Sequence, residues 1–194
     1  MAPAPIDDIL YAHASKGEIA ELIKAAEEYE IKQYDVSLSP QFYQILAMAY
    51  LVSGDLVNAR QVLKRATGTA LKDPLTGKIG GVVHAVWNKH YKDAIAQTSA
   101  LGFAPLDGVL RARLIVRVAT TWAKAYEKPT VKDIATASGV DEATCAKLIS
   151  ECKDLALGAD NVVEVVETPH ASSWKESTME NITATAMMLR KPVA

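Results

Sequence analysis

The chain has 194 residues, with 21 lysines and arginines against 23 aspartates and glutamates and a formal net charge of −2. A chain so near neutrality has no global field to draw in nucleic acid or an anionic membrane, so composition nominates no charged polymer as ligand. Hydrophobic residues make up 49% and charged residues 23%, which is the balance of a globular protein with a core to bury, in one or two domains.

The first 35 residues carry eight acids and three bases, with Ile19, Leu22, Ile23 and Ala26 at helical spacing, and predict an acidic amphipathic helix. Ser39-Pro40 has the form of an N-cap followed by proline at the first helical position. Phe42, Ile45, Leu46 and Ala49 then recur every three or four residues until Gly54 stops the helix. Asp55 caps the next helix, which carries Leu56, Ala59, Val62 and Leu63 before Gly68; the joint is too short for anything but an antiparallel helical hairpin.

Residues 70–81 hold Pro74, Gly77, Gly80 and Gly81 and predict a loop that runs into a helix over 82–89. Gly77-Lys78 is not a phosphate loop, because Lys72 stands where the first glycine is needed and Ile79 where the hydroxyl is needed. A short helix over 93–101 ends at Gly102 and Pro105. Asp107 then caps a long helix with Val109, Leu110, Leu114, Val118, Trp122 and Tyr126 before Pro129.

After Pro129 the character changes. Thr130-Val131-Lys132-Asp133 reads as a capping box, Ser138-Gly139 as a turn, and Asp141 as the cap of a second helix through Cys152. Leu155–Leu157, a tight turn over 158–161 and the β-branched run over 162–166 predict a β-hairpin. Two helices and a hairpin describe a winged helix, closed by Pro169. Met179, Ile182, Ala186 and Leu189, at steps of three, four and three, form an apolar seam on a last helix. The expected fold class is therefore mainly α. A helical-repeat bundle occupies residues 1–128, a winged helix with a small β-hairpin 129–170, and a C-terminal helix 171–194.

The residues offer no catalytic constellation. His13, His84, His90 and His170 have no metal-ligand spacing and no cysteine pair or carboxylate cluster to complete one. Asp7-Asp8 and Glu27-Glu28 are adjacent, so on a helix they do not face one substrate. No nucleophile elbow occurs, and Cys145 on a helix interior reads as a small buried hydrophobe. Cys145 and Cys152 lie about 10 Å apart along one expected helix, beyond disulfide reach. So few thiols, and a start (MAPAPIDD) with neither a basic opening nor an apolar stretch, predict an intracellular protein without a secretory signal. The sequon at Asn181-Ile182-Thr183 then reads as chance. Apolar runs such as Leu114-Ile115-Val116 are interrupted by Arg111, Arg113 and Arg117, short of the roughly 18 apolar residues of a membrane span. No enzyme, cofactor or metal is expected.

A helix-turn-helix raises DNA binding as a rival. Its second helix carries Asp141, Glu142 and Glu151 against Lys147 and Lys153, a negative balance where phosphate donors are needed, and this points to a protein-protein module. The strand edge at Val162, Val163 and Val165 could add to a neighbouring sheet, or the valines could simply cover the helices. The seam at Met179, Ile182, Ala186 and Leu189 could meet a partner helix or fold back on its own chain.

Helical hairpins leading into one winged helix and a trailing helix resemble the PCI family, shared by the proteasome lid, the COP9 signalosome and translation initiation factor three. The likeness covers most of residues 42–194 and is carried by Ala49-Tyr50-Leu51 through Asp55, Asn58-Ala59-Arg60, Lys64-Arg65, Val86-Trp87 and Tyr91, and by the ending Arg190-Lys191-Pro192-Val193-Ala194. Within the family it is closest to the signalosome branch; one departure is the stop at Ala194, where the family continues into a further helix. Each motif is weak alone, since Ala-Arg after a Gly-Asp turn also occurs in tetratricopeptide repeats; their shared order is the stronger signal.

The resemblance implies a noncatalytic scaffold, cytoplasmic and nuclear, in the COP9 signalosome, which removes the ubiquitin-like modifier Nedd8 from cullins. The chemistry belongs to another subunit, a zinc metalloprotease. Partners would be the other PCI subunits, with no small-molecule substrate and no membrane. Winged helices of such assemblies associate edge to edge and C-terminal helices gather into a bundle, which would give jobs to the Val162, Val163, Val165 edge and to the Met179–Leu189 seam. The alternatives are PCI subunits of initiation factor three or the proteasome lid, or a winged-helix nucleic-acid binder using Arg111, Arg113, Arg117 and Lys124.

Overall fold

The computed structural model describes residues 6–33, 38–66, 68–103 and 106–166. Among them are ten α-helices and one two-stranded antiparallel sheet, so the chain is mainly α. The predicted helix over 171–194, with Met179, Ile182, Ala186 and Leu189, lies outside the described residues.

The acidic N-terminal segment is two helices rather than one, α1 (Ile6–Lys16) and α2 (Ile19–Lys32). Gly17 adopts φ +74°, a left-handed turn that a residue with a side chain enters only at a cost, and it reverses the chain between them. Across the corner His13 Nδ1 lies 2.8 Å from Glu18 Oε2. Leu10 and Ala14 of α1 and Leu22 and Ala26 of α2 are buried. The apolar spacing of α2 is legible in the sequence, whereas Gly17 is what separates α1 from it.

Helix α3 (Pro40–Ser53) starts as expected: Ser39 Oγ accepts from the Phe42 N–H at 3.0 Å and Pro40 occupies the first turn. Every residue from Phe42 to Val52 is buried, the signature of a helix surrounded on all sides. Gly54, at φ +89°, ends it. Asp55 caps α4 (Leu56–Arg65) by accepting from the Asn58 N–H at 3.0 Å. The predicted hairpin is present.

The glycine-rich stretch over 70–81 departs from the expected loop. A short α5 (Thr69–Lys72) is followed by α6 (Pro74–Trp87), so Gly77, Gly80 and Gly81 are all helical. The reason is the start signal: Asp73 accepts from the N–H groups of Leu75 at 2.8 Å and Thr76 at 3.3 Å, and Pro74 supplies the first-turn φ. Buried Gln44 of α3 reinforces this start, donating to Asp73 Oδ1 at 2.8 Å and Thr76 Oγ1 at 3.1 Å. At Gly81 a Cβ would stand 2.9 Å from Gln97 Oε1 of the following helix, α7 (Tyr91–Ser99). Glycine leaves room there for the tip of the exposed Gln97 side chain.

Helix α8 (Leu106–Ala125) begins one residue before the expected cap; Asp107 sits in its first turn and its carboxylate accepts from the Phe103 N–H. It packs against α3 and α7 and also against α9 (Val131–Ser138), α10 (Glu142–Ser150) and the second strand. The predicted capping box is formed between Thr130 and Asp133, Gly139 turns at φ +70°, and Asp141 accepts from the Thr144 N–H at 2.8 Å. Strands β1 (Leu155–Leu157) and β2 (Val163–Val165) pair with Leu155 opposite Val165 and Leu157 opposite Val163. Asp160 and Asn161, both with φ near +60°, make the turn. One hydrophobic core runs from Leu10 to Val163 without interruption at residue 129. No helix of the described residues is long and apolar enough to cross a membrane.

Candidate protein interaction surface

The hairpin's main-chain bonds show which of its edges are already used. Gly158 N–H donates to the Val162 carbonyl at 2.8 Å and Val166 N–H to the Asp154 carbonyl at 3.0 Å. By the antiparallel alternation, Ala156 and Glu164 form the intervening bonded pair. The main-chain groups of Val163 and Val165 therefore point away from β1. On that side the Val163 N–H donates to the Pro129 carbonyl at 2.8 Å, and Thr130 bridges Val162 antiparallel. The edge at Val162 and Val163 is thus occupied by the chain's own segment ahead of α9, and β2 is flanked on both sides over its first half.

The three valines named from the sequence have different surroundings. Val163 is 1% exposed and part of the core, so its side chain is not on offer to a partner; the reason is the pleat, which turns Val163 and Leu155 toward the helices. Val162 and Val165 are half-buried, and Val165 packs on the same core. The residues that reasoning from sequence missed are on β1. The outward groups of Leu155 and Leu157 have no strand partner among the described residues, and the Leu157 side chain is 37% exposed. That strand is the open edge. Its only sequence signal is that a first strand of three residues has little else to pair with.

Helix α8 presents the second surface. At 100° per residue Arg113, Arg117 and Lys124 fall within about 40° of one another, while Arg111 lies on the opposite side. Arg111 is half-buried and faces the start of α10. Hydrogen bonds from Thr144 hold the Asp141 carboxyl below the usual range, and the Arg111 charge adds to this. The expected four-residue basic stripe is therefore three residues, all exposed. A groove of about 590 Å³ lies beside it, lined by Val109, Arg113, Val116, Leu148, Glu151 and Asp154 among others. Acids and bases alternate in its walls, which gives no consistently positive path for phosphates.

No cluster of three or more metal-ligating side chains occurs among the described residues. His84 Nε2 is taken up by the Asn88 amide at 2.9 Å, and His170 lies outside the described residues. Cys145 is fully buried, and burial pushes its thiol up to about 11, with Asp141 adding to the shift; such a thiol is protonated and inert at neutral pH. What the described residues offer a partner is an open strand edge and grooves beside an exposed helix face.

Comparison with known proteins matches the chain to no family model and to no curated protein.

Proposed function

We propose that the chain is a noncatalytic scaffold subunit of the PCI type, working in the COP9 signalosome in the place of its eighth subunit, and so supporting the complex that removes Nedd8 from cullins and regulates cullin-RING ubiquitin ligases. The observation that carries the reading is α8. One helix packs on α3 and α7 with one part of its surface and on α9, α10 and β2 with another, so helical hairpins and a helix-turn-helix with a hairpin are built as one body. In this reading α9, α10 and the hairpin are a winged helix, Thr130 is the remnant of its first strand, and β1 is the edge that meets the neighbouring subunit's wing. The residues behind the resemblance, from Ala49 to Tyr91, fall on α3, α4 and the α6–α7 corner.

Affinity purification of the tagged protein from its native cells at moderate salt, followed by mass spectrometry, tests this. Recovery of a signalosome set that cleaves Nedd8 from cullin is the expected result, whereas initiation factor three or the proteasome lid would transfer the reading to those relatives. The exposed Arg113, Arg117 and Lys124 favour nucleic acid as the second reading. A DNA or RNA titration across salt decides it, because binding through phosphates would fall steeply with salt and persist near physiological ionic strength.

A further inference from the structure

Helix α4 carries Arg60 and Lys64 four residues apart, and α6 carries Gly80, Val83, His84 and Trp87 at steps of three, one and three, so each set occupies one helix face. The two faces, together with Leu71 of α5, line a groove of about 570 Å³, within the size range of pockets that seat side chains of a ligand. Trp87 is 45% and Leu71 65% exposed, two large apolar side chains held in water. The Arg60 guanidinium lies 4.9 Å from the Trp87 ring centroid, and this cation–π contact fixes the indole.

The charges of the groove are one-sided. Its lining includes Arg60 and Lys64 and no carboxylate. Neither Arg60 nor Lys64 forms an ion pair among the described residues, whereas Arg65, the next residue on α4, is committed to Glu30. Gly80 leaves the α6 backbone bare at this point, for a Cβ there would meet nothing within 4 Å. A ligand main chain could approach that closely.

We propose that the groove between α4, α5 and α6 is a docking site for an acidic peptide segment of a partner protein. An apolar anchor of the segment is seated among Leu63, Leu71, Val83 and Trp87, and its carboxylates meet Arg60 and Lys64. Nucleic acid fits less well, since a stacking base needs an open aromatic face and one face of Trp87 carries Arg60. Leu63, Ala66, Leu71 and Val83 make much of the remaining lining apolar, which suits an apolar side chain better than a phosphate backbone. The inference does not rest on the signalosome reading, because the groove belongs to the helical part and not to the wing.

Selection of displayed random peptides of about twelve residues on the immobilised full chain tests it. The expected result is a pool rich in aspartate and glutamate around one large apolar residue. A synthetic member of that pool should shift the Trp87 indole N–H resonance, and its affinity should fall by at least about tenfold in Arg60→Glu/Lys64→Glu and in Gly80→Leu. Gly80→Leu fills the groove while removing a helix-interior glycine; if it fails to fold, the charge reversal alone decides. No enriched peptide, a pool without acidic excess, or affinities indifferent to the variants would overturn the proposal. A (dT)20 oligonucleotide bound at physiological salt and lost in the charge reversal would replace it with a nucleic-acid site. A concentration-dependent dimer abolished by Gly80→Leu would replace it with a second copy of this chain.

Discussion

Arg65 of α4 and Glu30 of α2 face each other as a fork, with Arg65 Nε donating to Oε1 and Nη2 to Oε2, each at 2.8 Å. A second tie joins α2 to α3, where the Tyr50 hydroxyl donates to Glu27 Oε1; burial and then this bond push the Tyr50 hydroxyl well above the usual phenol range. The acidic second helix is therefore clamped to the α3–α4 hairpin by defined contacts, beyond its apolar stripe.

The fork is half-exposed, so solvent discounts it. Arg65→Ala is expected to cost on the order of 1 kcal/mol, with Arg65→Lys recovering part of it because a lysine cannot make the two-point contact. A double-mutant cycle with Glu30→Gln in urea unfolding reads the coupling directly, and zero coupling would show that the pair contributes nothing.

On the hairpin, Val163 and Leu157 stand opposite each other but differ in surroundings. Val163→Asp buries an unpaired carboxylate and is expected to cost about 3 kcal/mol or more, enough to lose much of a domain's stability. Leu157→Asp sits at the exposed tip and should fold with a melting temperature near that of the parent while weakening recovery of partner subunits. Equal destabilisation by both would remove the open edge from consideration.

At acid pH the helix-turn-helix should loosen first. Bonds from the Thr130 hydroxyl and N–H, at 2.6 and 3.0 Å, hold the Asp133 carboxyl below the usual range, and bonds from Thr144 do so for Asp141. A depressed folded pKa means stability that is present above about pH 4 and lost as the pH falls through the folded value. Chemical shifts of α9 and α10 followed from pH 5 to pH 2 should move with these carboxyls, and Asp133→Asn should flatten the response of α9. An unchanged α9 profile in that variant would sink the argument.

Cys145 has the opposite sign. Its folded pKa, about 11, lies above the unfolded one, so the protonated thiol stabilises the fold below about pH 8.5 and the contribution is lost as pH rises toward 11. Thiol labelling at pH 8 should modify half-buried Cys152 and leave Cys145 untouched until denaturant is added. Labelling of both at one rate in the native protein would contradict the burial.

Local chemistry was the legible part. Ser39-Pro40, Asp55, Thr130 through Asp133 and Asp141 are legible because a cap is decided by residues within one turn of each other, and the hairpin because β-branched runs flank a turn that tolerates left-handed residues. The glycines over 77–81 point to a loop, but helix propensity is a weak prior and the Asp73-Pro74 start signal overrides it. The split at Gly17 was hidden by apolar spacing that continues on both sides of it.

The sequence by itself determined the mainly α class, the helix starts after Ser39, Asp55, Thr130 and Asp141, and the hairpin, since each depends on residue types at short spacing. Only the tertiary structure decided which surfaces remain open. Pro129 and Thr130 cover the edge of β2 across more than thirty residues of chain. Arg65 lies opposite Glu30 and is paired with it, whereas Arg60 and Lys64 on the same helix have no ion-pair partner among the described residues. Availability for binding is what packing leaves over, and packing is set by contacts between residues far apart in the chain.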